Sequence, residues 1–243
     1  MALIINAKSA TSEQELKDLD IICYSDQSNT YYKVMEQVQR HWAATHDIKN
    51  LQVIVPMKLK GNACTYLLNN AIQELVNPNS KQETKLFASK GMPYVLRIGD
   101  KVINTVNNYK TNPNIFNGNI GIIKSFEYDE DFDEEYMVID FDGIGEVFVP
   151  DKFWRNIELA YAITVHKSQG SEANTVIFAF DYSAYPLLSK ELVYTGLTRA
   201  KTKCYLIAQN SALRYATAKS SVVNKQTHLR EQLHDIAHPK VIF

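Results

Sequence analysis

Hydrophobic and polar residues follow three distinct patterns along this chain, and each pattern predicts a different kind of structure. In residues 1–90, short apolar runs are followed by segments in which apolar residues recur every three or four positions. The predicted strands are residues 20–24 and 51–55, and the predicted helices are residues 30–44 and 62–76. Strands that alternate with helices favour a parallel sheet covered by helices.

The helical periodicity stops near residue 93. From there to residue 156 the chain carries short β segments separated by Asn-Gly, Asp-Gly and acidic turns. The predicted strands are residues 100–106, 119–128, 136–141 and 145–150. This pattern predicts a small antiparallel barrel.

The last stretch, residues 157–243, returns to the α/β pattern, with strands near residues 160–165, 175–180 and 203–208 and helices from Asn210 and Asn224. We therefore predict a discontinuous α/β domain formed by residues 1–92 and 157–243, with residues 93–156 inserted as the barrel. Met92 and Ile157 are then expected to lie close together, because the chain leaves and re-enters the domain there. We also expect the α/β part to fold without the insertion.

Composition places the 243 residues in the globular range, with 45% hydrophobic and 22% charged residues. Cys23, Cys64 and Cys204 lack metal-ligand spacing and are predicted to be reduced thiols in the core. No apolar run approaches the roughly 20 residues of a membrane span, and no signal sequence is apparent. We expect a cytoplasmic protein without a membrane partner.

The net charge of −1 differs from the basic balance of most nucleic-acid binders. Acidic residues are concentrated in residues 127–135, whereas the C-terminal third is enriched in lysine and arginine. Any contact with a nucleic acid should therefore be local.

The run YAITVHKSQGSE, residues 161–172, carries the first candidate chemistry. Residues 157–165 are predicted to form a buried strand, and the polar residues that follow lie at its carboxyl end, where α/β sheets bind ligands. His166 and Lys167 can meet a phosphate, with Thr164 or Ser168 as hydroxyl donors. Glu172 suits an acceptor for a ribose hydroxyl or an organiser of the loop. The alternative is an ordinary connection between two elements.

The run LVYTGLTRAK, residues 192–201, is predicted to be a helix with Ser189 as its N-cap. Val193, Leu197 and Ala200 would face inward, and Arg199 would project from the rim. A guanidinium in that position can stabilise charge on a transferring phosphoryl group, and the alternative is a surface salt bridge. Gly196 lowers helix propensity, which is consistent with a close approach by another element.

These two runs, joined by the apolar strand TVIFAF (residues 175–180), resemble motifs V and VI of superfamily 1 helicases. Their residues are most similar to those of the RecD-like branch. The resemblance implies a RecA-like parallel-sheet motor domain of P-loop NTPase type. It implies that Arg199 is the catalytic arginine finger and that Gly170, Glu172 and Arg199 lie at the nucleotide. It also implies single-stranded DNA contacts from Thr164, His166, Lys167 and Ser168.

Two further segments extend the resemblance. VIVPMKLKGNACTYLLNNAIQELVNP, residues 53–78, resembles the stretch after motif IV, which would place Pro56 and Lys58 beside the single strand. GDKVINTVNNY (99–109) and FNGNIG (116–121) resemble the inserted Src-homology-3-like barrel of RecD-like helicases. Further DNA contacts would then come from Asn107, Asn108, Tyr109 and Asn117. The alternatives are solvent-facing lysines and asparagines chosen for their turns.

The sequence has no G-x-x-x-x-G-K-[ST] phosphate-binding loop, since no glycine is followed by lysine. The acidic residues 129–135 do not end an apolar strand, so they suit a solvated hairpin tip better than a Mg²⁺ site. No metal ligand is therefore assigned to this chain.

The resemblance thus implies the C-terminal half of an ATP-dependent 5′-to-3′ DNA helicase acting in recombination, repair or plasmid transfer. ATP and Mg²⁺ would serve the complete helicase, and this chain alone is expected to be inactive. Expected partners are single-stranded DNA and the P-loop motor domain of the same polypeptide, with other recombination-complex subunits as further candidates. The alternatives are a non-catalytic nucleic-acid-binding or assembly module, and a protein-interaction barrel on an α/β scaffold.

Overall fold

The computed structural model describes residues 18–78, 84–89 and 92–220. The helix predicted from Asn224 lies outside the described residues. The helices are α1 (Thr30–Thr45), α2 (Thr65–Val76), α3 (Lys190–Leu197) and α4 (Asn210–Ala218). The strands are β1 (Leu19–Tyr24), β2 (Leu51–Val55), β3 (Thr84–Ser89), β4 (Met92–Arg97), β5 (Lys101–Asn104), β6 (Ile120–Asp129), β7 (Glu134–Phe141), β8 (Gly145–Pro150), β9 (Ile157–Leu159), β10 (Ala162–Thr164), β11 (Ala173–Phe180) and β12 (Ala200–Gln209).

The first sheet is parallel, and its strand order is β1-β12-β11-β2-β10. Its central strands are nearly continuous apolar runs because helices cover both faces. Val34, Val38, Leu68 and Ile72 of α1 and α2 pack into one core cluster, whereas α3 and α4 contribute to the other. The α/β architecture predicted from the sequence is therefore confirmed.

The second large sheet is antiparallel, with strand order β8-β7-β6-β5-β9. β5 to β8 correspond to the four strands predicted for the barrel. The acidic residues 129–135 span the turn between β6 and β7, as predicted for a hairpin tip. A separate hairpin pairs β3 with β4.

The single strand predicted over residues 157–165 is two strands. β9 pairs antiparallel with β5, whereas β10 pairs parallel with β2, so the chain changes sheets between them. Two buried amides hold this crossing: Gln52 Nε2 donates to the carbonyls of Ala160 (3.1 Å) and Tyr161 (3.2 Å), and Asn69 Oδ1 accepts from the Ala162 N–H (2.7 Å). Apolar periodicity gives no sign of this crossing, because both strands are buried.

The two large sheets are joined through the buried carboxylate of Asp100. It accepts hydrogen bonds from Gln73 Nε2 (2.6 Å), Asn77 Nδ2 (2.7 Å), the Arg97 N–H (2.8 Å) and the Tyr161 hydroxyl (2.8 Å). Burial nevertheless raises the pKa of Asp100. This network connects α2 to the start of the antiparallel sheet.

One hydrophobic cluster also runs through both parts, from Leu51 and Ile72 to Ile139 and Val147. Removing residues 93–156 would therefore expose apolar surface that the α/β part now buries, and folding of the α/β part without them stays a prediction. The hydroxyl of Tyr94 on β4 donates to the Ile157 carbonyl, so the two ends of the inserted stretch are in contact. The predicted domain boundaries remain a prediction.

Cys64 and Cys204 are buried free thiols, as predicted, but Cys23 is exposed. Cys23 lies on β1, at the edge of the parallel sheet, where packing covers less of the strand. Burial raises the pKa of the Cys204 thiol to about 12. Among the described helices, none is long and apolar enough to cross a membrane. The cytoplasmic location stays a prediction.

Candidate functional site

The loop between β10 and β11, residues 165–172, carries the predicted phosphate-binding residues. Thr164 ends β10, and its hydroxyl accepts a hydrogen bond from the Lys167 N–H at 3.3 Å. The His166 side chain is exposed, whereas Lys167 is half-buried. Ser168 is fully buried, and its hydroxyl donates to the Val165 carbonyl at 2.8 Å, so it shapes the loop from inside. A direct DNA contact from the Ser168 side chain is not available in this arrangement.

The second half of the same loop carries the predicted nucleotide-side residues. Gly170 has a φ of +83°, and no atom lies within 4 Å of the Cβ that another residue would place there. A left-handed backbone therefore favours glycine at this turn, although the space around it is open. The Glu172 side chain is 56% exposed and lies 3.6 Å from Lys201 Nζ. An exposed ion pair of this kind leaves the carboxylate accessible.

Arg199 does not lie on a helix, which corrects the sequence prediction. The helix α3 ends at Leu197, and the Arg199 carbonyl accepts a hydrogen bond from the Ala173 N–H at 3.0 Å. The next residue, Ala200, begins β12 and pairs with Ala173 of β11. The backbone has to become extended here to join the sheet, so the helix stops before the arginine. The predicted N-cap is confirmed, since Ser189 Oγ accepts from the Leu192 N–H at 3.2 Å.

The guanidinium of Arg199 is held beside the loop. Nη1 donates to the Ser171 carbonyl at 3.3 Å, Nε donates to the Thr195 carbonyl at 3.1 Å, and Nη2 donates to Thr198 Oγ1 at 3.1 Å. Glu172 and Arg199 line the same small cleft, together with Lys49 and Lys101 from other elements. The structure therefore brings together Glu172 and Arg199, two of the three residues predicted for the nucleotide side, whereas Gly170 does not line this cleft.

The close approach predicted at Gly196 is present. A Cβ at this position would lie 2.7 to 2.8 Å from three atoms of the Phe178 ring. This distance is shorter than any normal carbon–carbon contact, and the ring is buried on β11. Glycine lets α3 pack directly on the sheet, which fixes the position of the turn that carries Arg199.

The predicted DNA-side lysines meet at one carboxylate. Lys58 Nζ donates to both oxygens of Glu158, at 2.8 and 2.7 Å, and Lys167 Nζ donates to Oε2 of the same carboxylate at 3.1 Å. The Lys58 side chain is 33% exposed, that of Lys167 is 29% exposed, and that of Glu158 is 15% exposed. We call these three residues the lysine–glutamate cluster. It joins the loops after β2 and β10 to β9 of the antiparallel sheet.

Glu158 was missed by sequence reasoning. Burial by itself would raise its pKa, but the hydrogen bond from Lys58 and the charge of Lys167 together lower the pKa below its ordinary value. The sequence did contain a signal for Glu158, because a single acidic residue in an apolar segment predicted to be buried requires a cationic partner. The sequence could not show which lysines supply it.

Pro56, also predicted to lie beside DNA, is buried at the end of β2. It sets the path of the chain towards Lys58, and its side chain has little surface for a ligand. Residues 59–62 of the same loop, which include Lys60 and Gly61, are exposed.

The barrel residues predicted to contact DNA lie in the loop between β5 and β6, which we call the barrel loop (residues 105–119). Asn108 is buried and forms a β-bridge with Ile115, and its Oδ1 accepts from the Lys110 N–H at 2.9 Å. Asn107 and Asn117 are exposed, and Asn107 Oδ1 accepts from the Asn117 N–H at 2.8 Å. The turn interpretation thus fits Asn108, whereas the other two asparagines have exposed side chains.

Two aromatic rings stand on the surface of the barrel loop. Tyr109 is 67% exposed and Phe116 is 45% exposed, and their rings meet edge to face with centroids 6.0 Å apart. Exposed aromatic faces can stack on bases of any identity. Phe116 was not among the residues predicted to contact DNA, although it lies within one of the motifs.

No metal site is formed by the described residues, because nowhere in 18–78, 84–89 and 92–220 do three His, Cys, Asp or Glu side chains converge. The acidic turn between β6 and β7 lies on the barrel and does not form such a group.

Two family matches agree with this geometry. Residues 159–207 match the UvrD-like helicase C-terminal domain, and residues 68–141 match the ATP-dependent RecD-like DNA helicase SH3 domain. The first match contains the 165–172 loop and Arg199, and the second contains the barrel loop.

Curated relatives include the ATP-dependent RecD2 DNA helicase of Deinococcus radiodurans, which is 35% identical over 170 residues. That alignment covers 70% of this chain and 21% of the relative. The RecBCD enzyme subunit RecD of Mycolicibacterium smegmatis is 30% identical over 136 residues, covering 56% of this chain and 22% of the relative. This chain therefore spans about a fifth of the length of these relatives.

Solved structures with a similar arrangement include the Pif1 helicase from Candida albicans, at 13% identity and a TM-score of 0.49. That similarity covers 85% of this chain and 58% of the Pif1 chain. Taken together, the RecD relatives and the two family matches support a RecD-like superfamily 1B helicase C-terminal domain, with a RecA-like parallel sheet and an SH3-like antiparallel region.

Proposed function

We propose that this chain is the C-terminal part of an ATP-dependent 5′-to-3′ DNA helicase and that it supplies an arginine finger and one part of a single-stranded DNA track. The observation that carries the proposal is the loop between β10 and β11. Lys167 on its first half shares the Glu158 carboxylate with Lys58, whereas the Ser171 carbonyl on its second half accepts a hydrogen bond from Arg199. One short loop therefore connects a cationic surface with the Arg199 guanidinium. A motor that couples nucleotide hydrolysis to movement along DNA requires such a connection.

On the nucleotide side, Arg199 is the catalytic residue and Glu172 and Gly170 are binding residues. Three features support the fit to a nucleotide. Arg199 donates one N–H to the loop at the Ser171 carbonyl, Glu172 has an accessible carboxylate, and the space at Gly170 is open. ATP bound in the complete protein would supply the phosphoryl group, with Mg²⁺ held by the P-loop motor domain. Arg199 would turn from the Ser171 carbonyl towards charge that develops on that group.

On the DNA side, Lys58, Lys167 and His166 would contact phosphates, with the Thr164 hydroxyl as a neutral donor. Asn107 and Asn117 would add hydrogen bonds from the barrel loop, and Tyr109 would stack on a base. Binding through phosphates and stacking should be largely independent of sequence. Recombination, repair or plasmid transfer are the proposed settings, with other subunits of a recombination complex as partners.

The test is Arg199→Lys in the complete helicase. Lysine keeps the charge but loses the planar fork, so we expect DNA-stimulated ATP turnover to fall by about 10³-fold or more, with little change in DNA affinity. Arg214→Lys is the matched control, because Arg214 is an exposed arginine on α4. Turnover in Arg199→Lys equal to that of the control would refute the arginine-finger role.

The 243-residue chain provides a second measurement. It is expected to hydrolyse no ATP, because the sequence has no phosphate-binding loop. DNA-stimulated hydrolysis by this chain that disappears in Arg199→Ala would contradict this division of labour.

A further inference from the structure

The lysine–glutamate cluster places a fixed negative charge between the two lysines that are proposed to contact DNA. Glu158 lies on β9, where its backbone pairs with Ile103 of β5, so the strand holds it in position. The loops that carry Lys58 and Lys167 follow β2 and β10, which are neighbours in the parallel sheet. Both lysines therefore reach the same carboxylate from adjacent loops.

The distances show how much of the cationic charge is already engaged. Lys58 contacts both carboxylate oxygens, and Lys167 contacts one of them. Two ammonium groups and one carboxylate leave a net charge of +1 where the lysines alone would carry +2. Both lysine side chains are about one-third exposed, so they can be approached from solvent, while the Glu158 side chain is mostly covered.

From this geometry we propose that Glu158 limits the affinity of this surface for single-stranded DNA by competing with phosphate for Lys58 and Lys167. A carboxylate offers an ammonium the same kind of anionic oxygen that a phosphate offers. Glu158 is already positioned by its strand, so it has no association entropy to lose, whereas an incoming phosphate does. Glu158 also repels a phosphate directly.

Limited affinity at this position suits a motor, because each step along a strand requires the contacts to be released. The inference rests on the proposed function for the identity of the ligand. It adds that Glu158 is an affinity-determining residue, although it donates nothing to DNA itself.

The test is Glu158→Gln in the 243-residue chain, with fluorescein-labelled oligo(dT) followed by anisotropy from 50 to 300 mM salt. Glutamine keeps the shape but removes the negative charge, so the positive charge of both lysines is no longer offset by a carboxylate. We expect affinity at low salt to rise by about three- to tenfold and the slope of log K against log salt to steepen by about 0.7 for each additional phosphate contact. Unchanged or weaker binding by the folded variant would overturn the inference.

Glu146→Gln is the matched control, because Glu146 is an exposed glutamate on β8, a strand that carries no member of the lysine–glutamate cluster. It makes the same change in net charge and should leave affinity and salt slope close to the wild type. An equal gain in this control would assign the effect to overall charge and would overturn the specific role of Glu158.

Two further variants separate the possible failures. Glu158→Met fills a similar volume without charge and is expected to give the same gain, so it replaces Glu158→Gln if that variant does not fold. In Glu158→Gln/Lys58→Gln/Lys167→Gln the gain should disappear. If the wild type and Lys58→Gln/Lys167→Gln bind oligo(dT) equally, the proposed DNA track is misplaced. If the lysine variant loses binding but Glu158→Gln shows no gain, only the inference about Glu158 is refuted.

Discussion

The lysine–glutamate cluster and the barrel loop are both proposed to contact single-stranded DNA, but the fold holds them in opposite ways. The cluster consists of half-buried charged side chains that meet across two sheets. The barrel loop displays Tyr109 and Phe116 on the surface, and local hydrogen bonds shape its backbone. The cluster should therefore contribute electrostatic binding, and the loop should contribute stacking.

This difference has a measurable consequence, because the two kinds of contact respond differently to salt. Phosphate contacts release counterions and weaken as salt rises, whereas stacking on an aromatic face depends less on ionic strength. Substitutions in the two surfaces should thus change different properties of the same binding curve.

Replacing both lysines of the cluster should have the largest effect on DNA binding. In Lys58→Gln/Lys167→Gln we expect the affinity for oligo(dT) at low salt to fall by about tenfold or more and the salt slope to become shallower by up to about 1.4. Thermal unfolding should accompany the measurement, since Glu158 loses its contacts with both lysines. Lys124→Gln/Lys152→Gln is the control, because each of these exposed lysines pairs with a carboxylate on the antiparallel sheet. A fall of equal size in the control would show that the cluster has no special role.

Removing the exposed ring of the barrel loop should have a smaller effect of a different kind. For Tyr109→Ala we expect about a fivefold loss of affinity, at the lower end of the roughly 1–3 kcal/mol reported per stacked base, with the salt slope unchanged. Anisotropy titrations at several salt concentrations measure both quantities. Tyr128→Ala removes a comparably exposed tyrosine at the end of β6 and should leave affinity unchanged. A change in the salt slope of Tyr109→Ala would place an electrostatic contact in the loop.

The smallest predicted effect is on stability in acid. The pKa of Glu158 is lowered in the folded protein, so its ion pairs contribute stability above its ordinary pKa of 4.5. That contribution is lost as the pH falls through the lower pKa of the folded state. At pH 7 the free energy of unfolding of the wild type should exceed that of Glu158→Gln by about 1 kcal/mol or less. This difference should therefore shrink below pH 4.5. Denaturant titrations at pH 7 and pH 4 measure it, and a difference that grows in acid would contradict the assignment.

Tyr109→Ala provides the comparison for that measurement. Residues 105–119 contain no acidic residue, so the loop itself offers no carboxylate whose titration would change stability in this range. The difference between wild type and Tyr109→Ala should be the same at pH 7 and pH 4.

The order and type of most elements could be predicted from the amino-acid sequence alone, because apolar periodicity and turn residues are local properties. β2 and β8 have the predicted bounds, Ser189 caps α3, and Gly196 permits the close approach that its low helix propensity suggested. The motifs were equally local, and the family matches at residues 159–207 and 68–141 agree with them.

The way the motifs are held depends on contacts between residues that are far apart in the chain. Arg199 follows α3 instead of lying on it, because the next residue pairs with β11. Residues 157–165 are divided between two sheets, because Gln52 and Asn69 supply the hydrogen bonds of the crossing. Glu158 meets Lys58 and Lys167 from positions 100 and 9 residues away. Such contacts depend on which strands become neighbours in space, and no local pattern of residues records that choice.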